Sequence, residues 1–224
     1  MRQTPTQGRA GNGLVRRALE EHLRGARCRR RPVGRGFSLV ESLLAIGLLM
    51  VLAALATPSV LQGLDDARGT SAARHIAGLA RFTRTQAALR SASAGLRFER
   101  DGGDYGYAVY VDGNGNGLIT RDVRRGVDRP ITAVERIGDR FAGVTIGLAP
   151  GVSGMAGEIV GGGTDPVRLG VSDTLTFSPF GTARSGTIFL RSREGRQYAV
   201  RILGATGRTR ILAFRPEEGA WVAL

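Results

Sequence analysis

The chain has 224 residues, with 32 basic side chains, every one of them Arg, against 19 acids, for a formal net charge of +13. That length suits one globular domain with an appendage, and a single cysteine, Cys28, excludes an internal disulfide and a Cys/His metal cluster. Stability must therefore come from a packed core, which the roughly 165 residues beyond the apolar segment are enough to build.

The charge is unevenly spread. Residues 1–36 hold ten Arg and two acids, so +8 of the +13 sits in the first sixth of the chain. A basic composition alone points to nucleic acid or anionic lipid. Placed ahead of an apolar run, it reads better as a cytoplasmic topology signal.

That run is Phe37–Thr57, 21 residues, or about 31 Å of helix, which matches the hydrocarbon core of a bilayer. Arginines precede it and Asp65 and Asp66 follow it, so the positive-inside rule puts the N-terminus in the cytoplasm and the larger part outside. Three readings compete. One is a plain signal anchor. Another is a cleaved secretory signal ending in the small-x-small triplet Ala54-Leu55-Ala56. The third must account for Glu41. A carboxylate at the centre of a membrane helix costs about 2.5–3.5 kcal/mol on insertion scales. One turn inside the start, the helix dipole favours it and the interface is near. Cleavage between Gly36 and Phe37 would create an α-amine four residues before Glu41, cationic near neutral pH, able to neutralise it within a subunit or between packed neighbours.

The stretch Arg35-Gly36-Phe37-Ser38-Leu39-Val40-Glu41 resembles the type III signal of type IV pilins and pseudopilins. The resemblance implies a prepilin peptidase that cuts after Gly36 and N-methylates Phe37, and a Glu41 that guides the subunit into a filament. Pro58 is the 22nd residue counted from Phe37, where members of this family commonly carry a helix-kinking proline.

From Ser59 to about Ser91, apolar residues recur at roughly helical spacing, with Gly63, Gly69 and Gly78 as weak points. This predicts a periplasmic continuation of the helix laid on a sheet, or a helix broken near Gly69. After Ala94 short alternating runs separated by Gly, Asp and Asn predict strands. They are Gly95–Glu99, Tyr105–Val111, Pro130–Val134, Val144–Gly147, Asp173–Phe177, Thr187–Arg191, Gln197–Ile202 and Arg208–Phe214. Gly151–Gly170, with seven glycines, reads as a long loop. A helix followed by strands argues for an α+β fold of antiparallel sheet on the helix's C-terminal half. The expected domains are a leader over 1–36, a membrane and filament-core helix over 37–58, its periplasmic continuation over 59–93, and a β-rich domain over 94–224.

Phe177-Ser178-Pro179-Phe180-Gly181, followed by Gly186-Thr187-Ile188-Phe189-Leu190, resembles the F-x-P-x-G hairpin of the GspH/FimT branch of minor pseudopilins. Physically, Pro179 and Gly181 suit a turn between two strands. Tyr107 through Gly117 resembles the same branch, where a strand ends in an Asp/Asn/Gly loop. Together with the N-terminal signal, the resemblance spans most of residues 35–214.

Within that loop, Asp112, Asn114 and Asn116 with Gly117 match the first half of a calcium loop. The twelfth position, which should be a bidentate acid, is Val123, with Asp122 one residue short. A glycine-rich turn whose Asx side chains bond their own backbone is the favoured reading, and no cofactor is expected beyond weak calcium. The second pattern is Gly207-Arg208-Thr209-Arg210, inside a C-terminal stretch, Arg184–Leu224, with eight Arg and three acids. On a strand, Arg208 and Arg210 would share a face and meet adjacent phosphates. They also match a G-R-x-R motif with which some FimT-like minor pilins contact DNA. The competing reading is a charged edge strand that discourages aggregation.

Catalytic signatures are missing. His22 lies in the leader, His75 in a helical stretch without a partner carboxylate pair, and no nucleophile elbow, phosphate loop or dinucleotide fingerprint occurs. The resemblance implies a non-enzymatic minor pseudopilin of a type II secretion system, in the bacterial inner membrane with its C-terminal domain periplasmic. Its partners would be prepilin peptidase, other pseudopilins or pilins in a helical filament, and the inner-membrane assembly platform. A FimT-like minor pilin that binds DNA for uptake is the alternative, and a signal-anchored periplasmic binding protein a further one.

Overall fold

The computed structural model describes residues 36–152 and 165–224. The basic leader, with His22 and Cys28, and most of the Gly151–Gly170 stretch lie outside the described residues.

Helix α1 spans Leu39–Arg90. Two compact units divide inside it, Met1–Leu52 and Ala53–Leu224. In the first, every side chain from Leu39 to Leu52 is exposed, and by length and composition α1 is able to cross a membrane. In the second, Gly69, Ala72, Ala73, Ile76, Ala77, Ala80, Thr83 and Ala87 are buried. This spacing of three and four residues draws one stripe along the helix, and its small side chains admit close approach of a sheet. The helix runs unbroken through Gly69, as its continuation predicts, and the alternative of a break there does not occur because Gly69 is enclosed by packing that outweighs its helix propensity. Pro58 also lies inside α1, and the Thr57 hydroxyl donates to the Ala53 carbonyl at 2.7 Å one turn back. The helix stops at Ser91, whose φ of 50° is left-handed, with Ala92 N–H bonded to Ala87 O and Ser91 N–H to Ala88 O. That pair of bonds caps the last carbonyls.

Two antiparallel sheets follow. The first contains β1 (Ala94–Asp101), β2 (Asp104–Val111), β3 (Arg129–Pro130), β4 (Glu135–Arg136) and β7 (Thr174–Phe177), in the order β3-β2-β1-β7 with β4 also on β2. The second contains β5 (Thr145–Ile146), β6 (Val167–Arg168), β8 (Gly186–Arg191), β9 (Gln197–Leu203), β10 (Arg208–Arg215) and β11 (Ala220–Ala223), in the order β11-β10-β9-β8-β5 with β6 also on β8. Short helices α2 (Thr120–Arg124) and α3 (Ile137–Arg140) sit in the connections. Gly102 and Gly103 close the β1–β2 hairpin with φ of 59° and 95°, the positive pair that a two-residue turn between twisted strands requires.

The chain is thus one long apolar N-terminal helix followed by antiparallel sheets, an α+β layout. The alanine stripe shares one core with Leu96, Phe98, Val109, Leu175 and Phe177 of the first sheet and Ile188, Leu190, Tyr198, Val200 and Ile202 of the second.

Three expectations need correction. Pro130–Val134 is not a strand: β3 ends at Pro130, β4 starts at Glu135, and Thr132 uses its hydroxyl to accept Val109 N–H. Val167–Arg168, expected in a loop, pairs with β8. The Phe177–Gly181 turn does not join a hairpin, because β7 and β8 belong to different sheets. It carries the chain from one sheet to the other through a single bridge, Phe177 to Ala183.

Candidate functional site

Gly36, Phe37 and Ser38 precede the helix, and Ser42 N–H closes its first bond onto Ser38 O at 3.0 Å. Phe37 is 80% exposed, and Glu41 lies in the first turn, where the free N–H groups favour an anion. Gly36 has no left-handed φ, and a Cβ there would meet nothing within 4 Å. The local fold therefore does not require glycine at this position.

Where α1 meets the sheets, Asp65 and Asp66 do work that their sequence reading as a topology signal missed. The Asp65 carboxylate is buried and accepts the Ser192 hydroxyl and the Glu194 N–H, the latter at 3.2 Å. Asp66 accepts the Tyr198 hydroxyl at 2.9 Å and pairs with Arg196. All four partners belong to the β8–β9 hairpin or its turn, so two adjacent acids clamp that hairpin to the helix. Burial, and then the hydrogen bond to Asp66, push the Tyr198 hydroxyl up to about 12.

The Asp112 loop is a closed hydrogen-bond cage. Asp112 Oδ1 accepts the N–H groups of Asn114 and Gly115 at 3.1 and 2.8 Å, and its Oδ2 accepts Gly117 N–H at 2.7 Å. Asp122, from α2, accepts the side-chain amides of Asn116 and Asn114 at 2.9 and 3.2 Å. Those two amides, with the Arg121 guanidinium adding a smaller effect, hold the Asp122 carboxyl below the usual carboxylate range. A third acid, fully buried Asp128, accepts Gly113 and Ile119 N–H groups at 3.1 Å each, and the sequence pattern did not single it out. Each of the three carboxylates accepts two or three N–H donors from the loop and its flanks, which is the Asx-turn arrangement. Among the described residues no group of three or more His, Cys, Asp or Glu side chains is set to hold a metal ion.

Arg208 and Arg210 lie on β10, both exposed. Two residues apart on a strand, they project from the same face. Gly207, φ 61°, turns the chain into β10 against the crossover turn: a Cβ there would sit 2.5 Å from Gly181 O and 3.4 Å from Arg84 Nε. Among the described residues neither arginine has an ion-pair partner.

The structure thus gathers Arg208 with Arg210 on β10, and Asp112, Asn114 and Asn116 with Asp122 in one loop, while Gly36, Phe37 and Glu41 lie at the start of α1. No protein-family model, no curated protein and no solved structure matches this chain.

Proposed function

We propose that the protein is a minor pseudopilin of the GspH/FimT kind, a structural subunit of a type II secretion pseudopilus. One observation carries the reading: a glycine that the local fold does not require stands immediately before an exposed Phe37, an acid in the first helical turn and a membrane-length apolar helix. A prepilin peptidase that reads Gly36 supplies the missing reason for that glycine. Cleavage leaves an amine at Phe37 for Glu41 to neutralise, and the exposed apolar segment is the surface that neighbouring helices in a filament cover. The cut chain sits in the bacterial inner membrane with its sheets in the periplasm until it is drawn into the filament. The role is assembly, not catalysis.

The test is Glu41→Val. The variant is expected to be cleaved as usual but to lose crosslinking to the other filament subunits, and crosslinking at the unaltered level contradicts the reading.

A second reading, a FimT-like minor pilin that takes up DNA, is favoured by the exposed placement of Arg208 and Arg210 on one face of β10. Guanidinium groups so placed suit adjacent phosphates.

A further inference from the structure

The turn that carries the chain between the two sheets holds an aromatic ring in solvent. Pro179 and Phe180 are its central residues, and Gly181 N–H closes it onto Ser178 O at 2.9 Å. Ser178 N–H donates to Thr182 O at 2.9 Å, and the hydroxyls of Ser178 and Thr182 lie 2.7 Å apart. Beyond the turn, Ala183 N–H donates to Gly204 O at 2.9 Å, which ties it to the β9–β10 connection. The turn is therefore fixed in place, yet Phe180 at its tip is 92% exposed. Among the described residues its ring meets no other ring and no guanidinium.

Arginines gather at the same place. The Arg84 guanidinium, reaching over from α1, lies on the turn: a Cβ built on Gly181 would sit 2.9 Å from Arg84 Nε, and one on Gly207 3.4 Å from the same atom. Gly207 leads directly into Arg208 and Arg210 on β10. All three arginines are exposed, and among the described residues no carboxylate pairs with them. Residues 80–92, 178–186 and 204–210, the segments in contact here, contain six arginines and no acid.

A single exposed apolar side chain needs no explanation by itself. A ring fixed at the tip of a closed turn, among cations that no acid neutralises, has the two parts that single-stranded nucleic acid requires. They are a flat apolar face for an unpaired base and positive charge for the phosphates beside it. A duplex would leave the ring unused, because its bases already stack on one another. An acidic peptide would use the arginines and give the ring no flat partner. We infer that Phe180, Arg84, Arg208 and Arg210 form a site for single-stranded DNA, in which one unpaired base stacks on Phe180 and neighbouring phosphates pair with the arginines. The inference rests on the nucleic-acid reading of Arg208 and Arg210 and narrows its ligand to an unpaired strand.

The test is fluorescence anisotropy of a labelled oligothymidylate about 16 nucleotides long, titrated with the full chain in neutral detergent. An abasic oligonucleotide of the same length carries the same phosphates without the bases. The unaltered chain is expected to bind the oligothymidylate more tightly than the abasic strand. Phe180→Ala should weaken oligothymidylate binding about 5- to 150-fold, the range that one stacked base supplies, and so abolish the preference for bases. Phe180→Trp should keep it. Arg84→Gln should lower the magnitude of the slope of log affinity against log salt by about 0.7, one phosphate contact on a single strand. If Arg208→Gln/Arg210→Gln weakens binding while the unaltered chain binds both oligonucleotides equally, the stacking site is wrong and the two-arginine reading stands. Absence of salt-dependent binding to either oligonucleotide and to a duplex overturns both. Binding of polyglutamate through the same arginines, without binding of DNA, assigns the surface to an acidic protein and overturns the single-strand site.

Discussion

Tyr198 lays its ring across Gly69: a Cβ built on this helical glycine would fall 2.2 Å from Tyr198 Cε2 and 2.7 Å from Cζ. The same ring sends its hydroxyl to Asp66, three residues earlier on α1. A helix former at position 69 would push the ring off the helix and pull the hydroxyl from its acceptor. The glycine that offered a possible break in the helix is a site of close helix–sheet contact that leaves no room for a side chain.

Gly69→Ala therefore measures two opposed effects. Alanine favours the helix by about 0.8–1.0 kcal/mol, while overpacking a filled core costs about 1–3 kcal/mol. The clash is expected to win, so denaturant unfolding of the full chain in detergent should show lower stability. A more stable variant would refute the contact.

Asp65 is the buried half of the same clamp. Asp65→Ala leaves the Glu194 N–H without its acceptor, and a loss of about 1–3 kcal/mol is expected. Ser192→Ala removes one of two donors and should lose less. The two losses should not add in the double variant, since the groups share one network; strict additivity would contradict the clamp.

Tyr198 also sets a high-pH limit. Its hydroxyl is raised from 10.0 to about 12, so the folded state holds that proton more tightly than the unfolded chain. The resulting stability is complete below about pH 10 and is lost as pH rises through about 12. Tyr198→Phe is expected to flatten that part of the pH–stability curve. An unchanged alkaline limb would place the hydroxyl in solvent.

Asp122 works in the opposite direction. Its carboxyl is held down by Asn116, Asn114 and Arg121, so it stabilises the fold above the ordinary value of 3.8 and loses that contribution as pH falls through the lowered value. Asp122→Asn should remove part of the acid limb. Because the loop carboxylates are already engaged by N–H donors of their own loop, added calcium is expected to leave the thermal midpoint of the full chain unchanged. Saturation of a real site at a hundred times its Kd would add about 2.7 kcal/mol, and a midpoint rising with calcium would overturn the cage.

Much of the architecture was legible in the sequence, because alternating strands and an apolar helix leave periodic marks. Tyr105–Val111 and Arg208–Phe214 were read to within a residue or so of β2 and β10. The loop at Asp112 was legible as a turn because Asp and Asn bond neighbouring backbone. What escaped depended on contacts distant in sequence. Asp65 and Asp66 read as charges beside a membrane segment, yet their partners are Ser192, Glu194, Arg196 and Tyr198, over a hundred residues away. Pro179 and Gly181 marked a turn correctly, but a turn does not say whether its flanking strands pair, and these enter different sheets.

Processing at Gly36 is read most directly from the intact mass of the chain recovered from membranes with and without prepilin peptidase, beside Gly36→Asp. If the chain is a prepilin, the peptidase removes residues 1–36 and adds one methyl group at Phe37, and Gly36→Asp stays at full length. A chain that keeps residues 1–36 in the presence of active peptidase, is cut after Ala56 instead, or is processed normally as Gly36→Asp would contradict that assignment.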